Sequence, residues 1–262
     1  MIPEAYIIEW KRSVPWKIDA QVEQDLILCR ILVELYREYL ISEQLLFRGG
    51  TALHKLFLKP TTRYSEDIDL VQKDAAAIGQ VMDAIKGICN PLLGKPNTKQ
   101  KRNSVIFAYR KNSEIPPSVS MRIKIEINTR EHFSVFGEIK KKFQVQSGWF
   151  KGEASINTYT LEELLSTKMR ALYQRNKGRD LFDLWYGLTR GEVDAGKIIY
   201  SFKKYMEYQE LKVSKKEFRN NLELKLQDSD FKDDIVALIR PDISYSIEEA
   251  YYLVNEKLIS VL

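Results

Sequence analysis

The strongest chemical signal in the sequence is a pair of aspartates, Asp67 and Asp69, separated by one isoleucine. The alternating residues from Asp67 to Val71 predict a β-strand. Side chains two residues apart in a strand share a face, so both carboxylates point the same way, with backbones about 7 Å apart. Parallel carboxylates repel unless a cation lies between them, and hard oxygen ligands favour Mg²⁺ or Mn²⁺. The pair therefore predicts a divalent metal site.

A third carboxylate is offered by the segment 121–128, which alternates almost without exception. Its apolar face carries Met121 and three isoleucines, and its polar face carries Arg122, Lys124, Glu126 and Asn128. If this strand pairs beside the Asp67 strand, Glu126 completes a metal-binding triad with Asp67 and Asp69. The alternative is a strand with one solvent-exposed face.

A glycine turn precedes the aspartates, in Phe-Arg-Gly-Gly-Thr-Ala-Leu at 47–53. Glycine allows backbone amides to approach a phosphate closely, and a helix beginning near Thr51 would present its amino end to an anion. Alone, Gly-Gly-Thr and Asp-x-Asp are both weak signals, because each is common in unrelated proteins. Their order is more specific: strand, Gly-Gly-Thr, helix, loop, then a strand with Asp-x-Asp.

A lysine within an apolar helical stripe is the next unusual feature. Lys168 shares a helical face with Leu165 and Leu172 in the segment 161–174. Lysine is rarely buried without a partner, so Lys168 either extends its ammonium group to solvent or points into a polar cleft. Asp180 and Asp183 lie one helical turn apart and could pair with it. One interpretation is contact with a nucleotide, and the other is a buried ion-pair network that joins two helices.

Elements that position these residues fall into two parts, and the fold class expected is α+β. We predict a domain over 1–158 in which helices accompany a mixed sheet, followed by a helical domain over 159–262. Helices are expected over 19–40, 51–58, 75–89, 161–174, 180–188 and 195–206, and strands over 45–47, 67–71, 105–109, 118–128 and 143–145. The second domain begins with a helix-start signal, in which Thr160 is the N-cap and Glu163 follows three residues later.

The amino-acid composition limits the classes of protein to which the chain can belong. A hydrophobic fraction of 44% is ordinary for a globular protein, and no apolar run approaches the roughly 20 residues that span a bilayer. We expect a cytoplasmic protein without a membrane partner. The two cysteines have no metal-like partner spacing and only two histidines accompany them, which argues against a zinc site. The net charge of +5 permits a polyanionic partner. Basic clusters at 95–102, 140–142 and 212–219 are either solvated faces or nucleic-acid contacts.

The combined pattern resembles the polymerase-β-like nucleotidyltransferase superfamily, and more closely the AbiEii family of toxins. The resemblance covers residues 47 to 184, whereas residues 190–262 match no motif. The superfamily more often has aspartate where this chain has Glu126. The matching segments are 47–53, Arg-Tyr-Ser-Glu-Asp-Ile-Asp-Leu at 63–70, Lys-Ile-Glu-Ile-Asn at 124–128, 165–172, and Lys-Gly-Arg-Asp-Leu-Phe-Asp-Leu at 177–184.

This resemblance implies an Mg²⁺- or Mn²⁺-dependent nucleotidyltransferase that uses an NTP and an RNA acceptor, with tRNA the leading candidate. It implies a toxin paired with an AbiEi-type antitoxin encoded nearby. The residues expected to act in catalysis are Asp67, Asp69, Glu126, Lys168, Asp180 and Asp183. The residues expected to contact the nucleotide are Arg48, Gly49, Gly50, Thr51, Ser65 and Lys168. Asp67, Asp69 and Glu126 are the expected metal ligands.

Two alternatives remain open at the level of sequence. The same phosphate cradle could serve phosphoryl transfer or nucleotidylation on a protein hydroxyl. The chain could also be an inactive protein that only binds a nucleotide or RNA, although an idle site has no need of two aligned, repelling carboxylates.

Overall fold

A mixed seven-stranded sheet forms the centre of the first part of the chain. The computed structural model describes residues 2–262. The sheet order is β3-β4-β5-β2-β1-β7-β6; the pairs β2/β5 and β1/β7 are parallel and the other pairs antiparallel. The strands are β1 (Leu45–Arg48), β2 (Asp67–Gln72), β3 (Asn97–Gln100), β4 (Ser104–Asn112), β5 (Ser120–Asn128), β6 (Glu138–Gln146) and β7 (Lys151–Tyr159).

Helices precede the sheet, interrupt it and make up the carboxyl-terminal part. A π-helical turn, Leu53–Phe57, continues α4, and a short 3₁₀ turn, Ile259–Val261, follows α11. Within residues 2–262 no helix combines the length and the apolar character needed to cross a bilayer. The helices are α1 (Glu4–Lys11), α2 (Asp19–Arg37), α3 (Tyr39–Gln44), α4 (Gly49–Ala52), α5 (Gly79–Leu93), α6 (Leu161–Gln174), α7 (Gly178–Arg190), α8 (Ala195–Tyr208), α9 (Lys215–Lys225), α10 (Ser229–Asp233) and α11 (Ile247–Lys257).

The sheet has one apolar face and one polar face, as the alternation in β5 predicts. Ile123, Ile125 and Ile127 are fully buried, and α2 packs against β5 and β7. Full burial of each such side chain contributes about 1.5–3 kcal/mol. Lys124 and Glu126, on the other face of β5, are only partly buried. The buried isoleucines therefore fix the direction in which the polar side chains point.

The chain divides into two compact units. The first runs to Ser134 and resumes over Glu138–Tyr159, and the second comprises Val135–Gly137 with Thr160–Leu262. The predicted α+β class, with a mixed sheet and a helical carboxyl-terminal part, is confirmed. The domain boundary expected between 158 and 159 lies beside the point where the second unit resumes.

The first helix of the second unit begins as predicted. The Thr160 side chain accepts a hydrogen bond from the Glu163 amide at 3.3 Å. The Glu163 carboxylate instead accepts from the amides of Val135 and Phe136, at 2.8 and 3.1 Å, and from the Tyr205 hydroxyl at 2.8 Å. This buried carboxylate therefore holds the 135–137 segment onto α6.

Several predicted boundaries were wrong. The helix expected to end before Asn90-Pro91 runs over Gly79–Leu93 and contains Pro91 in its last turn; Gly94, at φ +79°, ends it. Two strands were missed. The residues of β3 are all exposed, so they show no apolar alternation, and the inward positions of β7 include the small residue Ala154 and the polar residue Thr158.

Candidate active site

The turn after β1 brings the backbone of two glycines against side chains of neighbouring segments. Gly49 has φ +82°, a conformation that other residues rarely adopt. A Cβ placed on Gly49 would lie 2.3 Å from Asp69 Oδ2, and one on Gly50 would lie 2.4 Å from Arg63 Nη2. Close approach therefore requires glycine at both positions and sets the turn directly against the Asp69 carboxylate.

Two hydroxyl groups join this turn to β2. Thr51, which is buried, donates to the backbone carbonyl of Asp67 at 2.5 Å, and its hydroxyl oxygen lies 2.8 Å from that of Ser65. A threonine hydroxyl has one proton, so Ser65 is the donor in the second bond. The proton of Thr51 is thus directed at the protein backbone, where it fixes the position of Asp67.

The three predicted carboxylates share one face of the sheet. Because β5 pairs with β2 in parallel, Lys124 is the register partner of Asp67 and Glu126 is that of Asp69. Adjacent strands lie about 4.8 Å apart. Arg48, on β1, is the register partner of Asp69 on the other side. The polar face therefore carries Arg48, Asp69 and Glu126 in one row, with Asp67 and Lys124 in the next.

Lys124 is the residue of this face that sequence reasoning failed to single out. Its Nζ lies 2.9 Å from Asp67 Oδ2 and 3.2 Å from Glu126 Oε2. Partial burial acts to lower the pKa of Lys124, but the charge and hydrogen bond of Asp67, with smaller effects of Asp69 and Glu126, outweigh it and raise the pKa. An ammonium group thus occupies the position between Asp67 and Glu126. The signal available in the sequence was its place between Arg122 and Glu126 on a single strand face.

No cluster of three or more carboxylate, histidine or cysteine side chains that could hold a metal ion occurs in residues 2–262. Lys124 forms ion pairs with two of the three predicted ligands, Asp67 and Glu126. The donor chemistry nevertheless suits a hard cation, and the Asp67 side chain is 37% exposed and open to solvent.

Arg48 is held by a carboxylate that the sequence did not suggest. Its Nη1 donates to Glu131 Oε2 at 2.5 Å. Burial acts to lower the pKa of Arg48, but Glu131, followed by Tyr159 and Asp69, raises it. The guanidinium is therefore a permanent positive charge on the same sheet face as the aspartate pair.

The second unit holds the other predicted residues together. Lys168 Nζ lies 2.8 Å from Asp183 Oδ2 and 3.3 Å from Asp180 Oδ1. Lys168 is 6% exposed and both aspartates are fully buried. The lysine on the apolar stripe of α6 therefore pairs with the two aspartates of α7, which is the structural interpretation that the sequence left open.

A second cation completes this network. Arg175 donates to Asp180 through Nε at 2.6 Å and through Nη2 at 2.8 Å. This geometry is bidentate, the strongest form of an arginine–carboxylate pair. Two carboxylates thus face two cations, of which Lys168 is buried and Arg175 is half exposed. These pairs offset part of the desolvation cost of burying Asp180 and Asp183.

The fold is shared with solved structures of low sequence identity. The MenT4 nucleotidyltransferase toxin from Mycobacterium tuberculosis superposes with a TM-score of 0.70 at 16% identity, and the match covers 100% of this chain and 91% of that one. JHP933 from Helicobacter pylori superposes with a TM-score of 0.54 at 15% identity, over 92% of this chain and 94% of that one. No curated protein sequence matches the chain.

A family comparison covers most of the sequence. Residues 30–251 match the nucleotidyl transferase AbiEii toxin family of type IV toxin–antitoxin systems. That range includes the glycine turn, the aspartate pair, Glu126, and the network of Lys168 with Asp180 and Asp183. The chain belongs to the AbiEii family of nucleotidyltransferase toxins.

Proposed function

We propose that this nucleotidyltransferase transfers a nucleoside monophosphate from an NTP to a hydroxyl group of RNA, with tRNA the leading acceptor, and that it requires Mg²⁺ or Mn²⁺. The observation that carries the proposal is the contact between the Gly49 turn and the Asp69 carboxylate. A turn whose amides can approach a phosphate is thereby placed beside a pair of metal-type ligands.

The proposed step is a displacement at phosphorus. The acceptor hydroxyl oxygen forms a bond to the α-phosphorus, the bond from that phosphorus to the bridging oxygen breaks, and pyrophosphate leaves. A carboxylate of the polar sheet face takes up the hydroxyl proton. The turn at Gly49 and Gly50, with Arg48 and Ser65 beside it, holds the phosphates, and Thr51 orients the turn through its bond to the Asp67 carbonyl.

Asp67 and Asp69, with Glu126 as the third ligand, would hold the divalent ion. When bound, the ion neutralises charge on the phosphates and favours ionisation of a coordinated oxygen. Lys124 Nζ lies 2.9 Å from Asp67 Oδ2 and 3.2 Å from Glu126 Oε2, so its ammonium group would compete with the ion for these two oxygens.

The second unit is assigned a supporting role. We propose that Lys168 contributes positive charge to the nucleotide phosphates when substrate is bound. Asp180 and Asp183 set the position of its ammonium group, as their distances of 3.3 and 2.8 Å indicate. The family to which the chain belongs implies an antitoxin partner. We propose an AbiEi-type antitoxin encoded beside this gene.

The test is incorporation of label from each α-³²P NTP, supplied with Mg²⁺ and total RNA. We expect label on RNA, loss of label with EDTA, and loss with Asp67→Asn. The matched control is Asp74→Asn, which removes an exposed carboxylate shortly after β2. Label on protein would instead indicate nucleotidylation of a protein hydroxyl, and no label with any NTP would indicate a protein that only binds its ligands.

A further inference from the structure

A basic groove lies at the β3–β4–β5 end of the sheet. Its volume is about 620 Å³, and the residues that line it include no acidic side chain. Ile106 and Ala108 form part of the floor. The charged residues of its lining, all exposed, are Lys95, Lys99, Lys101, Arg110 and Arg122. Five like charges around one groove repel each other, so the arrangement is unfavourable until an anion binds.

One of these repulsions is built into the register of the sheet. Arg110 on β4 is the direct partner of Arg122 on β5, and like charges directly opposite each other destabilise a strand pair. Within residues 2–262, none of the five cations of the groove forms an ion pair with a carboxylate. Nearby Lys111 and Lys124, by contrast, both have carboxylate partners, at 3.2 and 2.9 Å.

Protection of the sheet edge against pairing with other strands explains only some of these five positive charges. β3 is an edge strand, and lysine on an edge strand prevents association with other strands. Lys99 fits that explanation. Arg110 and Arg122 lie on β4 and β5, which have neighbours on both sides and present no free edge. The two arginines therefore need another reason for facing each other.

The groove is continuous with the polar face that carries the catalytic carboxylates. The strand register places Asp69, Glu126, Ile106 and Lys99 in one row across four strands. At about 4.8 Å per strand, the row extends roughly 14 Å from Asp69 to Lys99. A polyanionic strand whose end reaches the carboxylates can therefore lie across β4 and β3 with its phosphates beside the groove cations.

We propose that this groove binds the phosphates of the acceptor RNA strand near its reacting end. The inference rests on the proposed function and assigns the acceptor to one side of the aspartate pair, with the nucleotide at the glycine turn on the other. No aromatic residue is among those lining the groove in the described chain. Binding there is therefore through charge on the backbone, with little preference for base sequence.

The test measures binding of a fluorescein-labelled, single-stranded oligoribonucleotide by anisotropy over a range of salt concentrations. The variant Lys99→Gln/Arg110→Gln removes two groove charges. Its control, Lys17→Gln/Lys151→Gln, removes two exposed charges of the same unit, one between α1 and α2 and one on β7. Loss of two phosphate contacts lowers the slope of log K against log salt by about 1.4, because single strands give about 0.7 per contact.

We expect the groove variant to raise the Kd for RNA at least tenfold near physiological salt, with NTP binding at the wild-type value. Its thermal stability should equal or slightly exceed that of the wild type, because Arg110→Gln removes the repulsion with Arg122. The control variant should bind RNA as the wild type does. An unchanged Kd and slope in the groove variant, or an equal loss in the control, overturns the assignment of the groove. Binding of RNA without label transfer from any NTP would overturn the proposed function and leave the groove measurement standing.

Discussion

Gly49 and Asp69 are in contact across the β1–β2 pair, and a Cβ on Gly49 would lie 2.3 Å from Asp69 Oδ2. The carboxylate is thus held against the backbone of the turn that precedes it by twenty residues. Only glycine leaves room for this contact and also accepts φ +82°. The structure of the turn and the position of the carboxylate therefore depend on each other.

Gly49→Ala should disrupt both the turn and the position of the Asp69 carboxylate. The new methyl group must displace Asp69, and alanine is strained at a positive φ, so we expect a loss of about 1–3 kcal/mol in the free energy of unfolding and at least a 100-fold loss of transfer. Gly87→Ala is the matched control, because Gly87 lies exposed within α5 with open space beside it. That substitution should stabilise the helix by up to about 1 kcal/mol. Wild-type transfer by Gly49→Ala would show that the contact is dispensable.

Asp67→Asn and Asp69→Asn should each abolish transfer with little effect on folding. Asp67 is partly exposed and its pair with Lys124 contributes about 1 kcal/mol or less. We therefore expect a small change in Tm with EDTA present and at least a 100-fold fall in single-turnover rate with Mg²⁺. Full activity in either variant would remove the assignment of a metal site to this pair.

Lys124→Met should tighten metal binding. The Lys124 ammonium group pairs with Asp67 and Glu126, so it competes with a divalent ion for the same oxygens. Removal of that competitor leaves the Asp67 and Glu126 oxygens available to the ion, and we expect the Kd for Mn²⁺, measured by isothermal titration, to fall several-fold. Lys111→Met, which breaks an ion pair with Glu114 away from the aspartates, is the control. Weaker Mn²⁺ binding by Lys124→Met would show that the lysine supports the metal instead of competing with it.

Lys168→Met should destabilise the second unit. The change leaves Asp183 and Asp180 buried with one cation fewer, and breaking a buried ion pair costs roughly 3–5 kcal/mol. Asp183→Asn in the same chain should recover much of that loss, because it removes the uncompensated charge. The measurement is urea unfolding of the single and double variants. A loss below about 1 kcal/mol would contradict a structural role for the pair.

Transfer by the rescued double variant separates the two roles of Lys168. If Lys168→Met/Asp183→Asn unfolds like the wild type and still fails to transfer, Lys168 acts on the nucleotide as well as in packing. If transfer recovers together with stability, the proposed contact of Lys168 with phosphate is wrong. Either rate is measured in a single turnover, at saturating NTP.

Lys225 should make stability depend on alkaline pH. Burial lowers its pKa from 10.5 to about 8, against an opposing effect of Asp180, and its ammonium group donates to the carbonyls of Leu172 and Tyr173. Between about pH 8 and 10.5 the unfolded chain binds more protons at this position than the folded chain, so this contribution to stability rises with pH. Relative to Lys225→Met, the wild type should therefore gain stability across that interval. A constant difference between the two proteins from pH 7 to pH 10 would contradict the lowered pKa.

Local patterns in the sequence were sufficient for the strands that carry the carboxylates. Alternation with period two places Asp67 and Asp69 on the same face of β2, and Lys124 and Glu126 on the same face of β5, whatever the neighbouring strands are. The N-cap at Thr160 is also a local feature, because its hydrogen bond involves only the first turn of the helix that it caps. Such features depend on residues within a few positions of each other, which is why they can be predicted from a single sequence.

Long-range pairing was decided only by the tertiary structure. The register that sets Glu126 beside Asp69, the lysine held between Asp67 and Glu126, and the groove formed with β3 all join segments that are distant in the chain. β3 has no apolar side and so gave no local signal. The sequence left two kinds of partner open for Lys168, a phosphate group or a carboxylate. Only the packing of α6 against α7 shows that the carboxylates of Asp180 and Asp183 pair with it. A buried charge needs a counter-charge, and the residue that supplies this counter-charge depends on which helix face packs against the buried group.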